Sequence, residues 1–416
     1  MALSWTLDEF TYAHSAWLIS QGERPYRDFA LLHPPLVELL FAPVFWVTEH
    51  SLEALLIIRV TLALLLVLCI GSLERLNLRY APFGVTAMIA LGCGIFPSWM
   101  LEIRPDSVAV ILTIFAIVVL EQGRTLLSAS LVALALFSSE KVLIYGAALP
   151  LALLVSKRET KEFYRFVFCG AVVATILFGL QILWVGWLPT KLFYIDWTVA
   201  HELAYSATTG ISQLAPFYFE IGIFSVLTLL GIGKTLLSFR SATDQQSLQQ
   251  NLALFLMLIL GLVSYLVQRG AYPYSLLPAL APSIVFCARL FPNRLRTGQI
   301  AFVGLLLLLF VPLSEDNREQ RELLSNIEIK VPPDSCVYDN SGTAVTRDHV
   351  AFYFFTDALM RKLFQSSFSD ELLNLIKEKD CRWMIKDFRY RELPPQFRKQ
   401  LEEMFPVCTG SLCGTG

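Results

Sequence analysis

The sequence predicts an all-α polytopic membrane domain followed by a small extracytoplasmic α/β domain, and three observations carry that expectation. Hydrophobic residues fill 55% of 416 positions and charged residues only 16%, where a soluble chain carries nearer a quarter charged. The apolar excess is gathered into blocks such as 52–72 and 164–187, each reaching the roughly 20 residues that cross a hydrocarbon core as helix. After residue 313 the composition turns polar, starting with the charged stretch 314–322. The net charge of −2 supplies no basic field that would suggest nucleic acid, and the bilayer is the expected partner.

The first segment, residues 1–50, lacks the basic start and apolar core of a cleavable signal peptide. Phe10, His14, Trp17 and Leu18 fall at amphipathic spacing, which suits a juxtamembrane helix. The apolar run from Pro35 to Val47 is too short to cross and suits an interfacial helix. Ten crossing helices are expected within 51–313, near 52–73, 81–100, 107–120, 125–138, 141–156, 164–187, 214–237, 252–268, 272–290 and 299–313. Basic residues set the orientation. With 1–50 outside, the inner loops hold twelve Lys and Arg, including Arg75, Arg79, Lys157, Arg158, Lys234 and Arg289, against four outside: Arg104, Lys141, Lys191 and Arg269. Counting 35–47 as a crossing would reverse that bias. Ten crossings return 314–416 to the outside.

In that last domain, strands are expected at 335–339 and 381–387, and helices at 348–364, 369–379 and 394–405. Its four cysteines, Cys336, Cys381, Cys408 and Cys413, permit two disulfides in an oxidising compartment. The Cys408 and Cys413 spacing does not match a zinc signature. Cys69, Cys93, Cys169 and Cys287 lie in apolar segments and act as small hydrophobes.

The outer loops repeatedly set an acidic residue beside a basic one: Asp8-Glu9, Tyr26-Arg27-Asp28-Phe29, His33-Pro34-Pro35-Leu36, Glu102-Ile103-Arg104-Pro105-Asp106 and Ser138-Ser139-Glu140-Lys141. Ionisable groups at the membrane boundary are costly, so such clusters point to function. Each has a plainer reading. Thr6-Leu7-Asp8-Glu9 fits a capping box, His33 a polar anchor, Arg104 and Lys141 snorkelling cations, and Asp106 a helix cap. Their joint occurrence on one side, in order, favours the functional reading. Tyr194, Asp196, Trp197, His201 and Glu202 in the long segment 188–214 fit either a sugar grip or a packed loop.

An acidic pair before an amphipathic segment, then Tyr-x-Asp-Phe, His-Pro-Pro-Leu, and Arg-x-Asp in the next outer loop, resembles the C-type glycosyltransferases. The nearest branch is that of the protein O-mannosyltransferases and aminoarabinose transferases. The resemblance covers residues 1–313 in architecture, and the tail is similar to the extracytoplasmic domain many members carry. It implies an inverting transferase in a bacterial plasma membrane, with a polyprenyl-phosphate sugar donor and a lipid, glycan or protein acceptor. It implies Asp8, with Glu9 beside it, as the catalytic acidic residue of the first loop, Asp106 as the acidic residue of the second, and Lys141 as the lysine facing the lipid phosphate. Two departures stand out. Members normally carry a membrane helix before the acidic motif, whereas seven residues precede Asp8. His33 stands where the aminoarabinose branch has lysine and the mannosyltransferase branch histidine.

The chemistry explains the residue types. A carboxylate, Asp8, takes the acceptor hydroxyl's proton, with burial expected to raise its pKa. Asp106 is left with three roles: sharing that task, orienting the acceptor, or binding a divalent metal. Arg104, Lys141 and His33 are the candidate phosphate-binding cations, and Tyr26, Asp28 and Glu140 the candidate substrate contacts. No cofactor is required by the sequence, though a divalent metal is compatible with it. The competing reading is a transporter or lipid-handling protein without transferase activity, disfavoured because the charges lie at helix ends and no repeat is visible.

Overall fold

The computed structural model describes residues 5–31, 33–48, 50–156, 160–191, 218–239, 245–267, 272–291, 318–350 and 368–415. The chain enters through α1 (Leu7–Ser20), then α2 (Leu36–Phe41) continued by a 3-10 turn, Ala42–Trp46. These pack on one another at one end of a helical bundle, so the run from Pro35 to Val47 does form a short helical element. α3 (Ser51–Asn77) is a long apolar helix. The single helix expected over 81–100 is two, α4 (Val85–Gly92) and α5 (Ile95–Met100), because Cys93 is extended with ψ 97°. α6 (Pro105–Glu121) and α7 (Thr125–Leu136) form a hairpin. The next expected helix is again interrupted, into α8 (Val142–Tyr145) and α9 (Ala148–Val155). Then come α10 (Thr160–Val185), α11 (Tyr218–Phe239), α12 (Gln245–Val267), a 3-10 turn at Pro273–Leu276 and α13 (Leu277–Ala288). The helix expected at 299–313 and most of segment 188–214 lie outside the described residues.

Among the described residues four helices, at 51–77, 160–185, 220–237 and 247–267, are long and apolar enough to cross a membrane. Leu64, Val67, Phe168, Leu183 and Leu229 are exposed on them, which suits helices solvated by lipid. The protein is an integral membrane protein. With lipid outside, helices associate through close backbone approach at small residues. A Cβ on Gly231 of α11 would fall 2.1 Å from the Phe286 carbonyl oxygen, and one on Gly261 of α12 would fall 2.8 Å from the Ala279 amide nitrogen. Both glycines thus let α13 lie in the middle of the bundle, where Leu277 to Ala288 are all buried.

Arg289, expected in an inner loop, is instead 2% exposed. It donates to the side-chain oxygens of Asn77 at 2.9 Å and Asn251 at 2.6 Å and lies 4.2 Å over Tyr80. It ties α3, α12 and α13 at the end of the bundle away from α1.

The C-terminal unit begins with α14 (Arg318–Lys330), so the charged stretch is helix from Arg318 onward. It holds a five-stranded sheet in the order β2-β1-β3-β5-β4: β1 (Cys336–Tyr338), β2 (Asp348–His349), β3 (Trp383–Ile385), β4 (Val407–Thr409) and β5 (Leu412–Gly414). β1 runs parallel to β2 and β3; β5 is antiparallel to β3 and β4. Its helices are α15 (Phe368–Glu378), α16 (Phe388–Glu392) and α17 (Pro395–Met404). The helix expected from residue 348 is corrected at its start, since Asp348 and His349 pair in the sheet; 351–367 lie outside the described residues. The β4–β5 hairpin had no expectation, because three-residue strands are too short to show alternation. Cys336 bonds Cys381, joining the start of β1 to the residues before β3, and Cys408 bonds Cys413 across the hairpin.

This unit sits on the first segment. Gln320 of α14 exchanges hydrogen bonds with the Trp5 backbone at 2.8 and 2.6 Å. Glu328 accepts the Ser51 amide at 2.7 Å. Thr11 donates to the Ser341 carbonyl at 3.1 Å, and His14 Nδ1 meets the Val345 carbonyl at 2.9 Å.

Candidate active site

α1 starts at a capping box: the Glu9 carboxylate accepts the Thr6 amide at 2.9 Å. That satisfies helix-end donors, and it fixes two adjacent carboxylates in different surroundings. Glu9 is fully buried and takes Arg59 of α3 through Nε at 3.1 Å and Nη2 at 2.8 Å, with Arg59 also over Trp5 at 5.0 Å. Glu9, expected beside Asp8 in the reacting pair, is thereby committed to holding α1 on α3. Asp8 is 38% exposed and accepts Arg104 Nη1 at 2.8 Å; Arg389 of α16 stands 3.7 Å from its other oxygen. Burial works to raise the Asp8 pKa, but Arg104 and Arg389 outweigh it, and the carboxyl is held below its ordinary value. The expectation of a raised pKa is therefore corrected: two cations win over partial desolvation.

Arg104 precedes α6 in extended backbone, with Pro105 at the first helical position, where its missing amide hydrogen costs nothing. Its guanidinium is clamped from every side. Nε donates to Glu102, Nη1 to Asp8, and its faces lie 5.1 Å from Trp99 and 4.1 Å from Tyr274. Glu102, itself reached by the Thr6 hydroxyl at 3.4 Å, is pushed by burial up to about 7. Two residues after Arg104, Asp106 is buried in the first turn of α6. It accepts the Ser139 hydroxyl at 2.9 Å and Lys141 Nζ at 2.7 Å. The Ser138 hydroxyl donates to the Pro105 carbonyl at 2.8 Å, binding the α7–α8 loop to the head of α6. Lys141 also reaches the Ser275 hydroxyl at 3.4 Å and lies 5.0 Å over Tyr274.

Tyr274 is thus the common floor: Arg104 and Lys141 share its ring. Asp8, Arg104, Asp106 and Lys141, separated by up to 133 positions, converge in one mouth at one end of the bundle. Beside it, His33 Nδ1 meets Glu140 at 3.2 Å, both about a quarter exposed. Burial opposes both charges; the pairing prevails, raising His33 and holding Glu140 down at about 2. Tyr26, in left-handed backbone at φ 65°, donates its hydroxyl to the His33 carbonyl and so shapes the loop. Asp28 accepts the Arg24 amide at 2.8 Å and pairs with Arg27 at the surface; it stabilises the turn. Tyr194, Asp196, Trp197, His201 and Glu202 lie outside the described residues.

Among the described residues no group of three or more His, Cys, Asp and Glu is placed to hold a metal ion. Asp106 spends its two oxygens on Ser139 and Lys141, so its donor set suits a cation already present in the chain.

A groove of about 370 Å³ opens from Pro34 and Glu140 along α7 and α10, lined by Leu136, Phe137, Leu143 and Phe178 and by Gln181. Glu140 is its charged lining residue, and the rest of the lining is mostly apolar. No protein-family profile matches the chain, and no curated protein matches it. Its fold resembles that of ArnT. The solved structure of ArnT from Cupriavidus metallidurans, bound to undecaprenyl phosphate, superposes with a TM-score of 0.60 at 14% identity, over 100% of this chain and 94% of that one. At that identity the likeness is one of fold.

Glu102, Trp99, Tyr274, Ser139, Ser275 and Arg389 had no assigned role from the sequence. Glu102 and Ser139 stood within quoted motifs. Tyr272-Pro273-Tyr274 offered an aromatic cluster at a helix start, but nothing in the chain tied it to Arg104.

Proposed function

We propose that the chain is a membrane glycosyltransferase that moves a sugar from a polyprenyl-phosphate donor to an acceptor hydroxyl at the extracytoplasmic face of a bacterial plasma membrane. The observation that carries this is the shared floor of Tyr274, which holds a carboxylate-bound arginine and a carboxylate-bound lysine side by side, while Glu140, next to Lys141 in the chain, lines a mostly apolar groove. The groove suits an isoprenoid chain, the cations suit its phosphate, and the fold is one that ArnT uses with undecaprenyl phosphate bound.

In this reading the acceptor oxygen attacks the anomeric carbon from the face opposite the phosphate, the bond to the phosphate oxygen breaks, and the configuration inverts. The proton of the acceptor hydroxyl passes to a carboxylate. Asp8, ionised and partly open, accepts it, and Arg104, which Asp8 shares with Glu102, holds that carboxylate in place. Lys141 meets the charge that develops on the leaving phosphate. An ammonium has three donors, and Asp106 and Ser275 take two. Asp106 aims Lys141, and His33 with Glu140 borders the entry of the donor. Glu9 positions Asp8 by fixing α1.

The test is transfer from polyprenyl-phosphate sugars by the purified chain in lipid nanodiscs, with Asp8→Asn as the variant. Transfer that disappears in a folded Asp8→Asn protein supports the reading. A chain that instead translocates sugar or lipid with no donor consumed, and is indifferent to the change, is a transporter.

A further inference from the structure

We infer that the C-terminal unit is part of the site itself, with Arg389 as a positioning residue that holds the second oxygen of Asp8. This rests on the transferase reading for its meaning, but its geometry stands independently. Arg389 comes from α16, more than 380 positions after Asp8, and its Nη2 lies 3.7 Å from Asp8 Oδ1 while Arg104 holds Oδ2 at 2.8 Å. The two arginines approach from different layers, one from the membrane bundle and one from the α/β unit.

The placement of Arg389 is built rather than incidental. Asp387 caps α16 by accepting the Tyr390 amide at 2.8 Å, and it also accepts the Ser341 hydroxyl. Asp339 accepts the Ser341 and Ala344 amides at 3.0 and 2.7 Å, shaping the loop between β1 and β2. Arg389 Nη1 donates to the Asn340 carbonyl of the same loop at 3.3 Å. That loop lies on α1 through Thr11 and His14. Gly342, at φ +72°, makes the approach feasible: a Cβ there would stand 3.0 Å from the His14 Cβ. Loop, α16 and α1 are one assembly, one helical turn from Asp8.

The charges facing Asp8 are Arg104 and Glu102 from the loop before α6, His33 from the loop after α1, and Arg389 from the C-terminal unit, with the Tyr12 and Tyr274 phenols nearby. With Arg389 in place, Asp8 stays an ionised acceptor with a cation facing each of its oxygens. Without it, Asp8 keeps Arg104 but gains freedom and basicity.

The measurement is the pH dependence of Asp8 modification by a water-soluble carbodiimide, which reacts with the protonated carboxyl, read by peptide mass spectrometry on the full chain in nanodiscs. Arg389→Gln and Arg389→Met should move the labelling midpoint to higher pH, and Arg389→Lys should restore much of the wild-type midpoint. In the transfer assay the acid limb of kcat/KM should move the same way. Midpoints that superimpose for wild type and both neutral variants overturn the inference, and either neutral variant suffices should the other fold poorly. Labelling needs no sugar donor. A wild-type chain that transfers nothing would therefore refute the transferase reading while still deciding whether Arg389 acts on Asp8.

Discussion

Replacing Lys141 with Met separates the two tasks the structure gives that side chain. Lys141 and Asp106 are 11% and 5% exposed and 2.7 Å apart, which makes them a buried pair. Removing one partner of such a pair costs about 3–5 kcal/mol, because the other charge stays in place uncompensated. The Ser139 hydroxyl still donates to Asp106, so the lower end, about 3 kcal/mol, is expected. Losing one aimed donor to a developing charge costs a further factor of roughly 10²–10³ in rate. The assay is the thermal midpoint of the detergent-solubilised chain with and without undecaprenyl phosphate. Lys141→Met should lower the midpoint and abolish its rise on adding the lipid. Asp106→Asn should also lower the midpoint, yet keep or enlarge the rise, since the lysine then lacks its internal anion. A Lys141→Met protein that retains the wild-type rise would refute the assignment of Lys141 to the phosphate.

Three other outcomes are expected. Glu9→Gln should cost about 3–5 kcal/mol by leaving Arg59 buried without its carboxylate, visible as a lower thermal midpoint, whereas Asp8→Asn should leave that midpoint near wild type. The His33–Glu140 pair should make stability fall on the alkaline side. Glu140, depressed to about 2 from 4.5, contributes fully above 4.5 and loses that progressively as pH falls from 4.5 to about 2; His33, raised from 6.5, contributes fully below 6.5 and loses it as pH climbs through its folded value. Thermal midpoints from pH 6 to 9 should therefore decline in wild type and flatten in His33→Gln. Opening Cys336–Cys381, with a sequence separation of 45, should cost about 4 kcal/mol, and opening Cys408–Cys413, with a separation of 5, about 2 kcal/mol, by loop entropy. Serine double variants compared by thermal melting of the full chain would reverse that order if native-state contacts dominate.

Long helices were legible where hydrophobic length alone decides, as at 51–77 and 160–185. Breaks were not. Cys93-Gly94 and Gly146-Ala147 interrupt apolar runs without a polar residue to mark them. Arg289 shows the same limit for charge. Its sequence neighbours place it in a loop, while Asn77 and Asn251, 212 and 38 positions away, supply the hydrogen bonds that bury it. The motifs around Asp8, Arg104, Asp106 and Lys141 were visible as local pairs of opposite charge. Which acid meets which base was not: Asp106 takes Lys141 rather than Arg104, and Arg104 takes Asp8 and Glu102.

From the chain alone came its membrane character, a helical stretch at 36–46 too short to cross, the polar tail and the short list of ionisable residues that the fold brings together. These follow from local quantities: length of apolar run, spacing and charge. Tertiary structure decided how those residues share charge. It buried Glu9 against Arg59, left Asp8 partly open between two arginines, and set Arg104 and Lys141 on a tyrosine that no motif connects to them. Proton affinity and hydrogen-bond geometry depend on neighbours a few ångströms away in space, and helix packing brings those neighbours from up to 381 positions away along the chain.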